Sequence, residues 1–412
     1  MSRSRVRVPW KAQRQSIVIK SKILRGSLIG TCILLCTLAF QSCPTTRNRS
    51  KSFHKHLLDQ YRLSDNDIDY IYKPLYANNF YIAKEDGQKV LYVIDPSTEK
   101  EMRYVVNKVE RVVCLSSTHI AFLDELDETS SIVGVSGIQY ICNEDVADAV
   151  DVGYESAIDY EALLQLEPDV VFAYTVHGQS NDYIDKIRQL GMSVIEIPEH
   201  MENHPLGKAE FLVAFAVFFD KEFRAIEQFH WISQTYEEYC LKARQAAIQQ
   251  YRQNRVDSGY TVIDTLNGTF EPVKVLINAP FKDVWYVPGI DSYQHILVAD
   301  AGGILLGSKP GINSSVISTE QAYLYALQAD FWIHPNQFND LTSLEGLDPR
   351  FVEVPAFREK RVWNNNLRNT PSGGSDYFES GAVNPHLILA DLIAIFYPTA
   401  IPNHKFTYYL QL

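Results

Sequence analysis

Between residues 153 and 174 the chain reads GYESAIDYEALLQLEPDVVFAY, and its apolar spacing changes halfway. Ala162, Leu163, Leu164 and Leu166 fall on one side of a helix that Asp159 caps and Tyr160-Glu161 open. Glu167-Pro168-Asp169 stops it, because proline cannot continue the hydrogen-bond ladder. Val170-Val171-Phe172-Ala173 is then an unbroken apolar run, which suits a strand covered on both faces. The same form returns in the second half. Ser318-Thr319-Glu320-Gln321 opens a helix with capping-box spacing, Asp330 ends it, and Phe331-Trp332-Ile333 is the strand. Glu320 takes the place of Glu161, each an exposed acid in a first helical turn. Two such units predict an α/β chain of two similar lobes, although any α/β protein contains helix-strand units of this kind.

Other segments fill in the frame. Residues 80–83 and 90–94 flank Asp86-Gly87, which predicts a hairpin, and 104–106 can add a strand. Residues 109–115 start the first lobe, and 120–126 its first helix. Residues 206–219 are the most apolar helical stretch of the body, with only Lys208 and Glu210 charged. Residues 222–250 form a more amphipathic helix, with Phe223, Ile226, Phe229, Ile232 and Tyr236 on one face. The second lobe begins with 260–263 or 273–277. Asp291 caps a helix ending at Gly302-Gly303, 361–363 is a short strand, and 387–396 is a closing helix stopped by Pro398.

The start of the chain differs in kind. Eight basic residues and no acid lie in 1–42, and 27–40 is an uncharged, largely apolar run. That run is too short to favour a membrane-spanning helix and fits an export signal. Cys43 follows Phe40-Gln41-Ser42, which makes it the candidate for lipidation, with Gln41 a departure from the small residues such a signal uses. Eight of the 38 Lys and Arg residues and none of the 50 acids fall in 1–42, so beyond it the net charge is about −20. This argues against a nucleic-acid partner. Only Cys114, Cys142 and Cys240 follow Cys43, too few for a disulfide framework, and buried thiols or one Cys114–Cys142 pair remain open.

In open parallel sheets the loops after strand C-termini face the ligand crevice. Those loops offer Ser116, Ser117 and His119, then Tyr140, then Tyr174 and His177, then His200. In the second lobe, 278–288 follows a strand and carries Phe281, Trp285 and Tyr286. Catalytic signatures are lacking: no Gly-rich phosphate loop, no nucleophile elbow, no His-Glu-x-x-His. His119, His177, His200 and His334 have no metal-ligand spacing, so no resident metal or cofactor is implied.

The segments RVVCLSSTHIAFLDEL, SIVGVSG, DYEALLQLEPDVVFA, LGMSVIEIP, DAGG and STEQAYLYALQADFWI, in that order, resemble the substrate-binding proteins of ABC importers for cobalamin, haem and iron-siderophores. The resemblance covers about residues 108 to 398, and GGSDYFESGAVNPHLILADLIAIFYP resembles a divergent branch of that family. It implies two Rossmann-like α/β lobes joined by a long connecting helix, with a ligand cleft between them. The implied division is 1–42 signal peptide, 43–78 tether and irregular segment, 79–205 N-terminal lobe with a hairpin extension, 206–252 connecting helical segment and 253–412 C-terminal lobe. Of the two central helices it assigns 206–219 as the first choice for the rigid connector. It also implies a monomeric, lipid-anchored periplasmic protein that is not an enzyme. Such a protein hands a chelate or corrinoid to permease subunits. The alternative is a periplasmic enzyme or a structural surface lipoprotein on the same scaffold.

By the resemblance, Tyr174 matches a crevice aromatic of the cobalamin binder, while Trp285 and Tyr286 are second-lobe choices from loop position. Glu161 and Glu320 match the acids that dock on permease arginines. Haem would need a Tyr or His axial ligand, for which Tyr140, Tyr174 or His177 could serve. Arg368 is the one arginine near a candidate loop, which disfavours an anionic siderophore.

Overall fold

The computed structural model describes residues 64–65, 68–154, 157–175, 181–257, 270–282 and 284–412. The signal segment, Cys43, His177 and the candidate strand at 260–263 lie outside them. The described residues belong to one unit, Leu57–Leu412. Their first element is a five-stranded antiparallel sheet in sequential order: β1 (Ser64–Asp65), β2 (Ile68–Tyr72), β3 (Phe80–Glu85), β4 (Gln88–Ile94) and β5 (Glu101–Val105). Asp86 and Gly87 both take positive φ (47° and 84°), the turn geometry that matches strand twist. Strand structure thus begins before residue 79, inside the segment expected to be irregular. Tyr72, Phe80, Ile82, Leu91 and Val93 join the core of the first lobe, where the Phe80 and Phe211 rings sit 4.6 Å apart.

The first lobe is a parallel sheet of order β10-β9-β6-β7-β8. Its strands are β6 (Val112–Cys114), β7 (Ile132–Val135), β8 (Val150–Asp151), β9 (Val170–Ala173) and β10 (Val194–Glu196), and its helices are α1 (Ser117–Glu125), α2 (Tyr160–Leu166) and α3 (Asp182–Gln189). Asp159 caps α2 as expected, its carboxylate accepting from the Glu161 and Ala162 amides. All four residues of β9 are buried, as an apolar run between helix layers requires.

Residues 206–219 do not form the connector. They are divided among α4 (Pro205–Glu210), α5 (Leu212–Ala216) and a 3-10 turn (Val217–Phe219), closed by Asp220 at φ 53°. Every residue of α5 and of that turn is buried. A helix apolar all round belongs inside a lobe, whereas a connector keeps one face in water. The amphipathic segment is the long helix: α6 (Glu222–Asp257) has 36 residues and so extends ~54 Å at about 1.5 Å per residue. Its apolar stripe passes from one lobe to the other. Ala225 and Ile226 belong to the first lobe's core, and Phe229, Ile232, Tyr236, Ala243 and Ala247 to the second's.

The second lobe is a sheet of order β13-β11-β15-β16-β17, parallel except for its last strand. The strands are β11 (Val273–Ile277), β13 (Gly303–Leu305), β15 (Phe331–Ile333), β16 (Val362–Asn364) and β17 (Leu410–Gln411). A separate antiparallel ribbon pairs β12 (Trp285–Val287) with β14 (Ser315–Ile317). Helices α7 (Tyr293–Asp300), α8 (Thr319–Ala326), α9 (Leu341–Glu345), α10 (Pro355–Arg358) and α11 (Pro385–Phe396) complete it. Ser292, not Asp291, caps α7, its hydroxyl accepting from the His295 amide. Asp291 instead accepts from Gly311 N at 3.0 Å. Ser318 caps α8 through the Gln321 amide, as its spacing predicts.

Candidate functional site

At the carboxyl edge of the first sheet, Ser116 follows β6 and lies 2.8 Å from the Thr118 hydroxyl, which donates to Glu199 Oε1 at 2.6 Å. Glu199 is 1% exposed, with Oε2 3.7 Å from His119 Nε2 and 3.9 Å from His200 Nδ1. Burial alone would push this carboxyl up, but the two imidazoles outweigh burial and hold it well below the usual range. His119 is fully buried against Phe172 and Phe215, so it is a core partner of Glu199 and not the cleft-lining residue its loop suggested. The reason is helical phase: Ser117 opens α1 at the edge, and His119, two residues on, points inward.

Tyr174 stays at this edge, partly exposed, with its ring set edge-on to His200 at 5.8 Å and its backbone carbonyl accepting from Tyr183 Oη. Its hydroxyl is 3.4 Å from that of Tyr154. Tyr140 is 47% exposed. Lys208, on α4, reaches over the Tyr293 ring of α7 at 5.4 Å. Burial lowers this lysine's pKa, against the opposing pull of Glu199.

The second lobe answers with different residues from those the sequence suggested. Trp285 is 1% exposed and stacks on Trp332 and Phe351, its indole N–H donating to Ile277 O at 2.9 Å. It is core, and a ligand in the crevice does not meet it. Tyr286 faces outward beside Val316, because successive residues of a strand point to opposite faces.

Carboxamides, which carry no motif in the sequence, gather instead at this edge. A cavity of about 490 Å³ opens at the carboxyl ends of β11, β15 and β16. Eight of its fourteen lining residues are Asn or Gln, and no Asp, Glu, Lys or Arg lines it. Asn278, His334 and Asn336 stand where β11 and β15 end, all with positive φ (67°, 53° and 51°). Such backbone costs free energy unless its surroundings hold it. Here Asn278 Nδ2 donates to Tyr286 O at 2.8 Å, and the Trp332 indole donates to Asn278 O at 2.7 Å. The fully buried Asn364 donates to the Asn336 and Phe338 carbonyls at 2.8 and 2.7 Å. His334 bonds the Tyr409 hydroxyl at 2.5 Å, and burial pushes its pKa down to about 3, so the imidazole is neutral. Buried Asp391 delivers that tyrosine by accepting from the Thr407, Tyr408 and Tyr409 amides. The available signal was compositional: HPNQFN at 334–339 and NNNLRN at 364–369.

The loop walling this cavity also ties the lobes together. Glu379 accepts from the Cys142 and Asn143 amides at 2.9 and 2.8 Å, and Thr370 Oγ1 donates to Gln139 O at 3.0 Å. A Cβ built on Gly374 would stand 1.9 Å from the Tyr140 carbonyl oxygen, so the backbones touch there. Arg368 pairs with buried Asp376 at 3.0 Å. Cys114 and Cys142 are free thiols and do not pair with each other. Among the described residues, no three His, Cys, Asp or Glu side chains gather as a metal site.

Residues 112–363 match the periplasmic binding protein family. The chain belongs to that family. A periplasmic haem-binding protein from Pseudomonas aeruginosa superposes with a TM-score of 0.53 at 16% identity, over 72% of this chain and 96% of that one. A possible iron-binding, periplasmic solute-binding protein from Staphylococcus epidermidis gives 0.51 at 15%, over 71% and 100%. An uncharacterized lipoprotein of Methanocaldococcus jannaschii is 26% identical over 318 residues, 73% of this chain and 68% of its own. The two-lobe architecture with its connecting helix is therefore the family's. Glu161 and Glu320 are both exposed in first turns, on α2 and α8. Glu320 approaches Arg350 at 4.0 Å. Among the described residues no helix is long and apolar enough to cross a membrane.

Proposed function

We propose that this periplasmic binding protein captures a metal chelate or corrinoid between its lobes and delivers it to the permease of an ABC importer. The observation that carries the reading is the position of the cavity. It opens at the carboxyl ends of three strands of the second lobe, where doubly wound sheets bind ligands. Ser116, Ser117, Tyr140, Tyr174, His177 and Tyr286 contribute the remaining contacts. Lipidation at Cys43 holds the protein, a monomer, on the periplasmic face of a membrane. Glu161 and Glu320, one per lobe, meet arginines of the permease and set the encounter rate and orientation. The protein has no catalytic role in this reading.

Titration of the purified protein with haem and with cyanocobalamin, followed by visible absorption and calorimetry, tests the capture step. One of the two is expected to bind with 1:1 stoichiometry. Tight binding of a simple sugar or amino acid, with neither chelate bound, would reject it. The double change Glu161→Arg and Glu320→Arg is expected to abolish permease capture while leaving ligand affinity unchanged.

A further inference from the structure

Resting on that reading, we infer that the second lobe recognises an uncharged ligand rim bearing carboxamides, the chemistry of a corrinoid, and discriminates against carboxylate-bearing ligands such as haem. The cavity wall is made of carboxamides with neutral partners. Each primary amide offers two donors and an acceptor, and so pairs face to face with another amide. A ligand carboxylate there would meet no cation. His334 is neutral and already bonded to Tyr409, and the neighbouring Arg368 guanidinium is engaged by Asp376. Desolvating a carboxylate without a countercharge is costly, so the wall selects against it.

The wall is also built rather than incidental. Its amides are held by other groups: Asn336 Nδ2 donates to Ala279 O, and Asn366 Nδ2 to Asn339 Oδ1 at 2.5 Å. That second bond leaves Asn366 Oδ1 buried with no hydrogen-bond partner among the described residues. A buried acceptor without a donor is a place for a ligand N–H, because leaving it unpaired has a cost that a bound donor removes. A corrinoid carries peripheral carboxamides that supply such donors. Haem has propionates at the corresponding rim and offers no N–H outward.

The test uses the full mature chain and three probes: cyanocobalamin, a cyanocobalamin monocarboxylate in which one peripheral amide has been hydrolysed, and haem. Calorimetry is expected to rank them in that order, with roughly tenfold or more between the first and second. Asn366→Asp, which keeps the shape and adds a negative charge, is expected to weaken cyanocobalamin at least tenfold. Asn365→Leu repeats the test at a residue whose side chain holds no other part of the fold. Unchanged thermal melting of one of the two variants shows that the loss is recognition. Haem bound as tightly as cyanocobalamin, or cyanocobalamin affinity untouched by both changes, overturns the inference and leaves chelate capture standing. Binding of none of the three probes overturns the capture reading and the inference with it.

Discussion

The two sheets end in the same geometry and present opposite chemistry. At the edge of the first lobe the polar groups are ionisable and turned inward: Glu199 is sealed among Thr118, His119 and His200. At the edge of the second they are carboxamides turned toward a cavity of about 490 Å³. The first arrangement ties Glu199 to Thr118 and seals its other polar atoms in the lobe, with Glu199 Oε2 and both ring nitrogens of His119 lacking a hydrogen-bond partner among the described residues. The second keeps part of its hydrogen-bonding capacity free. Position in the fold therefore marks where a ligand can sit, while the presence of an open cavity decides which edge can offer its polar groups to one.

The comparison is most easily broken at the aromatic residues. Trp285→Ala should leave a cavity against Trp332 and Phe351 and cost about 4 kcal/mol of stability, read from urea unfolding, whereas Tyr286→Ala should change it by less than about 0.5 kcal/mol. If the two cost the same, Trp285 is not core. Next, Glu199→Gln should destabilise by about 3 kcal/mol, because it disturbs a buried carboxylate held by the Thr118 hydroxyl between two imidazoles, while Asn365→Ala should be near neutral in the same assay. Equal losses would erase the distinction between a structural edge and a binding edge.

The third test concerns the contact between lobes. Gly374→Ala forces a methyl group against the Tyr140 carbonyl and should separate the 368–382 loop from the first lobe, costing about 2 kcal/mol. Faster hydrogen exchange at the Cys142 and Asn143 amides, which Glu379 holds, would report it. Unchanged exchange there would mean that the loop does not depend on this approach.

The fourth test is the pH dependence of the buried histidine, whose effect near neutral pH is small and grows only as pH falls. His334 has its pKa lowered from 6.5 to about 3 by burial. A depressed folded value means that the unfolded chain takes up the proton first. Stability from this group is thus complete above about pH 6.5 and declines as pH falls toward 3, by at most about 1.4 kcal/mol per pH unit. His334→Gln should flatten that part of the urea-midpoint profile. Ligand affinity should stay level between pH 5 and 8, since nothing lining the cavity titrates there. A titration of affinity in that window would place an ionisable group in the wall after all.

Much of the frame was legible along the chain. The helix-stop-strand units at 160–173 and 319–333, the Asp86-Gly87 hairpin and the closing helix all depend on local spacing, capping and proline, and each is found. The choice of connector was not: the resemblance gave 206–219 as first choice between two helical segments, and local pattern could not show that the hydrophobicity there marks burial inside a lobe. Glu210 shows the same limit: it looked like a charged helix residue, but accepts from the Leu75, Tyr76 and Ala77 amides and the Tyr72 hydroxyl, anchoring the chain before β3. Local pattern cannot tell a solvated acid from one with distant donors.

The sequence by itself determined the α/β class, the two lobes, the Asp159 and Ser318 caps and the acidic character of the body, since these follow from neighbours a few residues apart and from composition. Only the tertiary structure decided which polar residues face a ligand. His119 and Trp285 were turned into the cores by their phase on a helix and a strand, and each found a partner far along the chain. The carboxamides at 278, 294, 336, 337, 339, 365, 366 and 369 come together because three parallel strands end at one edge. Their meaning lies in that convergence, for an isolated asparagine in a loop has no ligand chemistry until the fold supplies the others and leaves one of their oxygens without a donor.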